Sequence, residues 1–413
     1  MNAFSTTADA VAWLRTPDAI RARCGMIMAA AEDDALEHFG YVPARLDAAA
    51  DYVIETMRRC YPDLAIPYHA RWRHFTVGGV DRWSDLKERC ADADPDEVAR
   101  IRFDLVITSV LLDAGAGDVW RYAEAETGQR FGRSEGLGVA SLRLFASGAF
   151  SADPARPLRA DAAALAALPD RAIETGFQVG PDNPLVGVAG RAGLMRRLGD
   201  ALKACPDIFG ADAPRVGGLY DYLKTQAAEG ALPADRVLAA VLRGLAPIWP
   251  GRITLDGENL GDVWRHPAAR SDDATDRLVP FHKLSQWLSY SLLEPLEDAG
   301  IRVTEMDRLT GLPEYRNGGL LIDLGVLTPK HDAVQGQTHA PGDPVIVEWR
   351  ALTVALLDRL AARVRARLGV TAAAMPLAKV LEGGTWSAGR RIAAEMRPGG
   401  PPPIKLNSDG TVF

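Results

Sequence analysis

Residues 280–300 read PFHKLSQWLSYSLLEPLEDAG and carry the clearest helical pattern in the chain. Large apolar residues recur every three or four positions, the spacing that places side chains along one face of an α-helix. Lys283, Gln286 and Tyr290 lie on another face, with the second and third following the first by three and seven positions. The stretch therefore predicts a core-facing helix. Its polar face either binds phosphate and hydroxyl groups or carries a lysine that merely extends along the surface.

The same periodicity extends over most of the chain and predicts a mainly α fold with a few short strands. Helices are predicted over 8–31, 46–57, 95–113, 134–145, 161–167 and 345–367. Strands are predicted at Ile253–Leu255, Ile301–Val303 and Leu320–Leu324. Clusters of Pro and Gly are too short to be flexible linkers, so we expect a single α-rich domain over residues 1–413. The alternative is a sub-domain boundary near residues 205–235.

The charge balance excludes some classes of partner. The chain has 47 Lys and Arg against 54 Asp and Glu, a formal net charge of −7. Binding to a nucleic-acid polymer depends on clustered positive charge, so no such partner is predicted. The chain has no uninterrupted window of eighteen apolar residues, which a membrane-spanning helix would need. Its N-terminus lacks the basic and apolar regions of a signal peptide. We therefore expect a cytoplasmic protein without a membrane partner.

The cysteine and histidine spacings argue against a metal site. Cys24, Cys60, Cys90 and Cys205 form no CxxC pair and are expected to be buried rather than joined in disulfides. His69 and His74 are close in sequence, but an offset of five places them on different sides of a helix. No dinucleotide or P-loop fingerprint occurs. The sequence predicts neither a metal nor a cofactor.

The stretch 67–85, PYHARWRHFTVGGVDRWSD, places basic and aromatic residues around a Gly-Gly turn. Guanidinium groups bind phosphate through two parallel hydrogen bonds and also stack on rings, which suits an anionic or planar ligand. Arg71, Trp72, Arg73 and His74 are therefore candidate binding residues. The alternative is a surface loop whose tryptophans fill the edge of the core.

Two further stretches combine glycine with charged and aromatic residues. Glu314 lies between a Pro and a Gly-Gly pair in LTGLPEYRNGG (309–319), on a turn where the backbone can approach a ligand closely. It is the first candidate for a catalytic carboxylate, with a structural Glu314–Arg316 pair as the alternative. Trp386, in EGGTWSAGR (382–390), is predicted to lie at a bend. Its ring could stack on a base or sugar or pack in the core.

Many of these strings resemble the protein family tied to the uracil-degradation (URC) pathway of fungi and bacteria. The resemblance covers nearly the full length and includes YPDLAIPYHARWRHFTVGGVDRW, VPFHKLSQWLSYSLLEPLE and LTGLPEYRNGGLLIDLGVL. It implies a role in pyrimidine breakdown and possible association with other enzymes of that pathway.

A second resemblance, to queuosine salvage proteins, implies a chemistry. Residues 281–286 (FHKLSQ) are similar to their FYKRAQ stretch, Glu314-Tyr315-Arg316 falls where they carry Asp-Tyr-Arg, and 347–351 (VEWRA) resembles their EIRA helix start. Those proteins are mainly helical N-glycosidases, distantly like DNA glycosylases in fold. The resemblance implies that architecture here.

Cleavage of a ribosyl C–N bond develops positive charge at the anomeric carbon, which a nearby carboxylate stabilises. Glu314 is assigned that role, and Asp113, Glu135 and Glu348 are weaker candidates to serve the leaving group. The predicted catalytic residues are Glu314, Asp113 and Glu135. The predicted substrate-binding residues are Lys283, Gln286, Tyr290, Arg71, Trp72, Arg73, His74, Tyr315, Arg316, Asn317, Glu348 and Trp386.

The resulting hypothesis is hydrolysis of the N-ribosyl bond of a UMP-derived ribosylurea-type 5′-phosphate to urea and ribose 5-phosphate. The partner would be this small, nucleotide-derived substrate. Two alternatives remain open. One is an amidohydrolase acting on a ureido intermediate, and the other is a non-catalytic nucleotide-binding or scaffold protein of the same pathway.

Overall fold

The computed structural model describes residues 4–113 and 115–407. It is 55% helical with few short strands, which confirms the predicted mainly α class. The α-helices are α1 Thr7–Leu14, α2 Pro17–Glu32, α3 Leu46–Cys60, α4 Trp72–Phe75, α5 Arg82–Arg89, α6 Pro95–Leu111, α7 Arg133–Ala146, α8 Ala162–Ala166, α9 Asp170–Gly176, α10 Val188–Ala204, α11 Pro206–Phe209, α12 Gly218–Gln226, α13 Ala234–Leu245, α14 Lys283–Asp298, α15 Tyr315–Asp323, α16 Ala333–Gly336, α17 Pro344–Leu368, α18 Leu377–Lys379 and α19 Ser387–Met396.

The strands are short and pair only two at a time in the described residues. They are β1 Phe39–Tyr41, β2 Tyr122–Ala123, β3 Arg130–Phe131, β4 Ala231–Pro233, β5 Thr254–Leu255, β6 Glu258–Asn259, β7 Val263–Arg265, β8 Leu278–Pro280, β9 Arg302–Thr304, β10 Leu327–Pro329, β11 Thr338–His339 and β12 Lys405–Leu406. The pairs β1–β10, β2–β3, β5–β6 and β7–β8 are antiparallel, while β4–β9 and β11–β12 are parallel.

The predicted helices are present, with one division and one correction. The 8–31 pattern splits into α1 and α2 because the Thr16 side chain accepts from the Ala19 N–H and Pro17 opens a new first turn. The predicted strand at Leu320–Leu324 is wrong, since residues 315–323 are helical. Glu314 caps that helix by accepting two backbone N–H groups, and short apolar runs do not distinguish strand from helix by periodicity alone.

The chain divides into two compact units by its internal contacts. The first unit consists of residues 1–69, 250–287 and 305–413. In it α17 packs against α2 and α3, and α15 packs against α17 and α19. The backbones of α15 and α19 approach very closely, because a Cβ built on Gly389 would lie 2.2 Å from the carbonyl oxygen of Arg316. Only glycine fits that crossing.

The second unit consists of residues 70–249 and 288–304. Within it α6 packs against α7 and α12, and α10 packs against α8 and α9. The chain passes between the units at 69/70, 249/250, 287/288 and 304/305, so the first unit is assembled from three separate stretches. The single α-rich domain over 1–413 stays a prediction.

The cysteines differ in exposure from what the sequence predicted. All four are free thiols. Cys24 and Cys90 are buried, as expected, whereas Cys205 is half-buried and Cys60 is exposed. The prediction of burial is wrong for Cys60, which is the last residue of α3 and lies on its outward side. Among the described helices, none is long and apolar enough to cross a bilayer.

Candidate active site in the first unit

Lys283 begins α14 at a point that a buried ion pair fixes. Its backbone N–H donates to Asp262 at 3.0 Å, and Asp262 accepts two hydrogen bonds of 2.8 Å from the Arg350 guanidinium. That guanidinium lies 4.1 Å above the Phe281 ring. Burial alone would raise the pKa of Asp262, but the charge and hydrogen bonds of Arg350 hold it well below its usual range. His282, just before the helix, has a φ of 48°, in the left-handed region that is unfavourable for residues other than glycine.

Glu314 is the N-cap of α15. Its Oε1 accepts from the Asn317 N–H at 2.6 Å and its Oε2 from the Arg316 N–H at 2.8 Å. Burial raises the pKa of Glu314, while the two N–H groups and then the charges of Lys283 and His69 act in the opposite direction. The side chain is therefore a buried carboxyl close enough to both Lys283 and His69 to feel their charge.

His69 acts on Glu314 by its charge and contacts a second carboxylate directly. Its Nδ1 lies 2.7 Å from Oε2 of Glu382, and the two side chains keep 10% and 11% of their surface exposed. The His69 and Trp386 ring centroids are 5.7 Å apart, and the Arg390 guanidinium lies 5.6 Å from the Trp386 ring. A carboxylate on one ring nitrogen fixes the tautomer and leaves Nε2 for chemistry. We refer to Lys283, His69, Glu314, Glu382 and Trp386 as the His69 cluster.

A π-helix supplies both Glu382 and Trp386. It spans Val380–Trp386, where a bend had been predicted. Its two glycines allow close packing, because Cβ atoms at Gly383 and Gly384 would lie 2.8 Å from Ile66 and 2.9 Å from Val53. Single π-turns inside helices often occur at functional sites. Here the π-turn brings the carboxylate of Glu382 and the indole of Trp386 next to the His69 ring.

Two buried amides each keep one polar atom without a hydrogen-bond partner in the described structure. Gln286 accepts from the Thr310 N–H at 3.3 Å through its Oε1, but its Nε2 has no partner. Asn317 donates from Nδ2 to the Leu312 carbonyl at 3.1 Å, but its Oδ1 has none. Both side chains are fully buried. One donor and one acceptor are thus left unmet on the helices that begin at Lys283 and Glu314, a costly arrangement that calls for an explanation.

Other predicted site residues of this unit have mainly structural contacts. Tyr315 is 36% exposed and lies 4.9 Å from the Arg316 guanidinium, which donates to the Gly400 carbonyl. Glu314 therefore contacts the backbone of Arg316 rather than its side chain. No ion pair between the two is needed to explain either position.

Glu348 holds the start of a strand. It is almost fully buried, accepts from the backbone N–H groups of His38 and Phe39 at 3.1 and 2.8 Å, and lies 3.4 Å from Nε2 of His266. Its Oε1 holds the backbone at the start of strand β1 and its Oε2 lies against His266, which gives it a structural role in this geometry.

The second unit contains another group of predicted residues. Arg71 is fully buried and donates to Ser109 and Asp113, each at 2.7 Å. Burial lowers the pKa of Arg71, against the charges of Asp113 and Glu135. The structure thus brings Arg71, Asp113 and Glu135 together. Tyr290 is also fully buried in this unit.

The neighbours of Arg71 are engaged in packing. Trp72 is buried and donates to the Ser291 carbonyl at 2.9 Å. Arg73 forms a bidentate pair with Glu294 at 2.7 and 2.8 Å, and His74 is half-buried. For Trp72 and Arg73 the geometry favours the core-edge alternative over ligand binding.

Comparison with known proteins identifies the family. The model of the family described as "Protein of unknown function (DUF1688)" matches residues 13–413. The chain belongs to the DUF1688 family. One relative, "Protein urg3" of Schizosaccharomyces pombe, is 41% identical over 98% of this chain and 99% of its own length. Another, "Uracil catabolism protein 4" of Lachancea kluyveri, is 42% identical over 91% of this chain and 92% of its own length. These matches confirm the uracil-degradation family predicted from the sequence.

Sequence reasoning missed two members of the cluster in this DUF1688 protein. His69 and Glu382 lie 313 positions apart, and no spacing rule connects them. Both occur in stretches that were singled out, 67–85 and 382–390, but for their arginines and tryptophan. Across residues 4–113 and 115–407, His, Cys, Asp and Glu side chains form no group of three suited to a metal ion.

The cluster provides the groups that acid–base chemistry needs. His69, oriented by Glu382, can accept or release a proton at its second nitrogen. Glu314 is a buried carboxyl that can face developing positive charge, and burial raises its pKa. Lys283 supplies a cation, and the Trp386 ring offers a surface for a sugar or planar group.

Proposed function

We propose that this protein acts in uracil catabolism by hydrolysing the N-ribosyl bond of a UMP-derived ribosylurea-type 5′-phosphate, releasing urea and ribose 5-phosphate. The observation that carries the proposal is that His69 contacts the carboxylate of Glu382 at 2.7 Å and also acts by its charge on the buried carboxyl of Glu314. The name of the L. kluyveri relative supports the pathway. A pair of carboxylates is the usual equipment for cleaving glycosidic bonds, and N-ribosyl cleavage passes through a similar cationic state.

The proposed reaction assigns one task to each residue. Ionised Glu314 stabilises the positive charge that grows at the anomeric carbon as the C–N bond breaks. The bonding electrons leave with the urea nitrogen, water adds its oxygen to the anomeric carbon, and His69, held by Glu382, takes the water proton. That proton then passes to the departing nitrogen, so urea leaves neutral. Lys283 holds the 5′-phosphate and keeps the sugar in register.

The unmet amide atoms fit the same substrate. A ureido group presents a carbonyl oxygen beside an N–H, which are the acceptor and donor that Gln286 Nε2 and Asn317 Oδ1 lack. Both amides are held by the backbone of residues 310–312, so they are preorganised. A site whose buried polar atoms are satisfied only by the correct ligand rejects analogues that lack those groups.

The test is urea release by purified protein from the ribosylurea phosphate. Glu314→Gln should slow it by about 100-fold or more, the cost of removing a charge-stabilising group. Asp161→Asn is the matched control, because Asp161 also caps a helix (α8) through two backbone N–H groups and is 8% exposed against 9% for Glu314. We expect the control to keep the wild-type rate at equal purity and melting temperature.

Two results would overturn the proposal: no urea from the wild-type protein, or full activity in folded Glu314→Gln. Reaction in ¹⁸O water decides between bond types. N-ribosyl hydrolysis places the label on the sugar, whereas amide hydrolysis places it on the released carbonyl product. Saturable binding of the substrate without turnover would point to a non-catalytic protein instead.

A further inference from the structure

A surface cavity of about 460 Å³ lies in the second unit and shares no residue with the His69 cluster. It is formed by α6, α11 and α12 together with the segments that carry Arg159 and Arg215. Its size falls in the range of small-molecule sites, which is about 300–1,000 Å³. The chemistry of its wall therefore decides whether it has a ligand and of what kind.

Each acidic side chain that lines the cavity is in contact with an arginine. Glu97 pairs with Arg100 at 3.1 Å and with Arg215 at 2.6 Å. Asp221 pairs with Arg100 at 2.8 Å, and Asp207 pairs with Arg243. Arg100 is shared by Glu97 and Asp221, and Arg215 pairs with the buried Asp104 as well as with Glu97.

Arg159 differs from these arginines. It is half-buried, donates from Nη2 to the Ala213 carbonyl at 2.8 Å, and forms no ion pair with any described residue. Burial and the like charge of Arg215 lower its pKa, against the attraction of Asp104 and Asp161. A guanidinium has five N–H donors in a planar fork, so Arg159 has donors left for a ligand. A partly desolvated cation without a contacting anion is costly, and an anionic ligand would remove that cost.

The remainder of the wall suits the body of an organic molecule. Ile208, Phe209 and the ring of Tyr222 line the cavity beside Pro206. The volume is far larger than an inorganic ion needs. Arg159 keeps N–H donors beyond its bond to the Ala213 carbonyl, and a planar carboxylate fits a guanidinium fork with two parallel hydrogen bonds.

We propose that this cavity is a binding site for a small organic carboxylate with an apolar or aromatic body, held by Arg159. The site is independent of the proposed function, because it rests on the second unit alone. It adds to the protein a second ligand site whose specificity depends on charge.

The test uses ligand-observed ¹⁹F NMR with 4-fluorobenzoate and its neutral analogue 4-fluorobenzamide. The full-length protein should bind the benzoate at least tenfold more tightly than the amide. Arg159→Ala should remove that difference, and Arg159→Lys should keep part of it. Arg156→Ala is the matched control, since Arg156 is exposed and already pairs with Asp153, and it should bind as the wild type does.

Two further variants separate the cavity from other sites. Thr225→Glu adds a carboxylate at the rim of the cavity and should weaken benzoate binding even if Arg159→Ala fails to fold. Lys283→Ala should leave benzoate binding intact, because Lys283 belongs to the His69 cluster. The proposal is overturned if the wild type does not bind benzoate, or if binding is lost in Lys283→Ala and unchanged in Arg159→Ala. Displacement of bound 4-fluorobenzoate from Lys283→Ala by an equal concentration of ribose 5-phosphate would overturn the assignment to a carboxylate.

Discussion

Glu314 has a structural role as the N-cap of α15, but a buried glutamate is an unusual choice for that position. Asp, Asn, Ser and Thr are the preferred N-cap residues, whereas α15 is capped by the longer side chain of Glu314, a buried carboxyl that feels the charges of Lys283 and His69. The net effect of the surroundings is a raised pKa, so the ionised form lowers the stability of the fold near neutral pH. A residue that violates a local preference and also costs stability is typical of a functional site.

The pH dependence of the unfolding free energy tests the raised pKa of Glu314 directly. Because the pKa of Glu314 is raised in the folded protein, its contribution is fully present below the unfolded pKa of a glutamate, near 4.3, and is lost as the pH rises through the folded pKa. Gln cannot ionise. The unfolding free energy of the wild type minus that of Glu314→Gln should therefore fall from pH 4 to pH 7 in urea titrations.

The matched control is Glu395→Gln, for which the difference in unfolding free energy should change with pH in the opposite direction. The hydrogen bond from Arg391, followed by that from Tyr52, lowers the pKa of Glu395. Its contribution is present above the unfolded pKa and is lost as the pH falls through the folded one. For Glu395→Gln the difference should therefore rise with pH, over a range below about pH 4.5. Equal slopes for the two variants would contradict the environment described for Glu314.

At the scale of elements, the crossing of α15 and α19 sets the cluster geometry. Helix α15 begins at Glu314, and α19 continues directly from the π-helix that carries Glu382 and Trp386. Gly389 lies at the contact, against the backbone of Arg316. Backbone atoms cannot rotate away as a side chain can, so any Cβ there must separate the two helices.

Gly389→Ala should therefore destabilise the protein by about 1–3 kcal/mol, the usual cost of forcing extra atoms into a packed contact. Gly190→Ala is the control, because Gly190 lies within α10 and a Cβ there meets nothing within 4 Å. In that helix Ala should be neutral or stabilising by up to about 1 kcal/mol. Chemical denaturation of both variants checks the pair, and equal unfolding free energies would contradict the close crossing.

Local sequence patterns predicted the secondary-structure elements better than the contacts between them. Apolar periodicity identified α3, which buries one face, and also α6, α14 and α17, which are buried on nearly all sides over much of their length. It failed at 320–324, where the side-chain cap of Glu314 begins a helix that continues through this apolar run. Lys283 and Glu314 were predicted as site residues from their local surroundings. The His69–Glu382 pair was not, since its two members meet only through packing of the π-helix, which no local pattern encodes.

At the scale of the whole molecule, the first unit depends on contacts between distant parts of the chain. Helices α2 and α3 pack against α17, which lies some 300 residues later. The apolar residues Ile20, Ile27 and Val53 are fully buried. Such long-range contacts must form together, because none of the three stretches can bury its own apolar face.

A fragment ending at Trp249 should therefore retain no cooperatively folded first unit. It lacks 250–287 and 305–413, so the apolar faces of α2 and α3 have nothing to cover them and should bind a hydrophobic dye. Co-expression with residues 250–413 restores every missing stretch and should recover a single sharp thermal transition together with urea release. The second unit loses only 288–304 in the short fragment, which still includes β4 but not its parallel partner β9.

A fragment of residues 1–69 and 250–413 joined by a short linker provides the converse test, because it contains the complete first unit and every residue of the His69 cluster. Its cooperative unfolding, alongside failure of the 1–249 fragment, is the expected outcome; cooperative folding of residues 1–69 within the 1–249 fragment would show that long-range packing is not what builds the site.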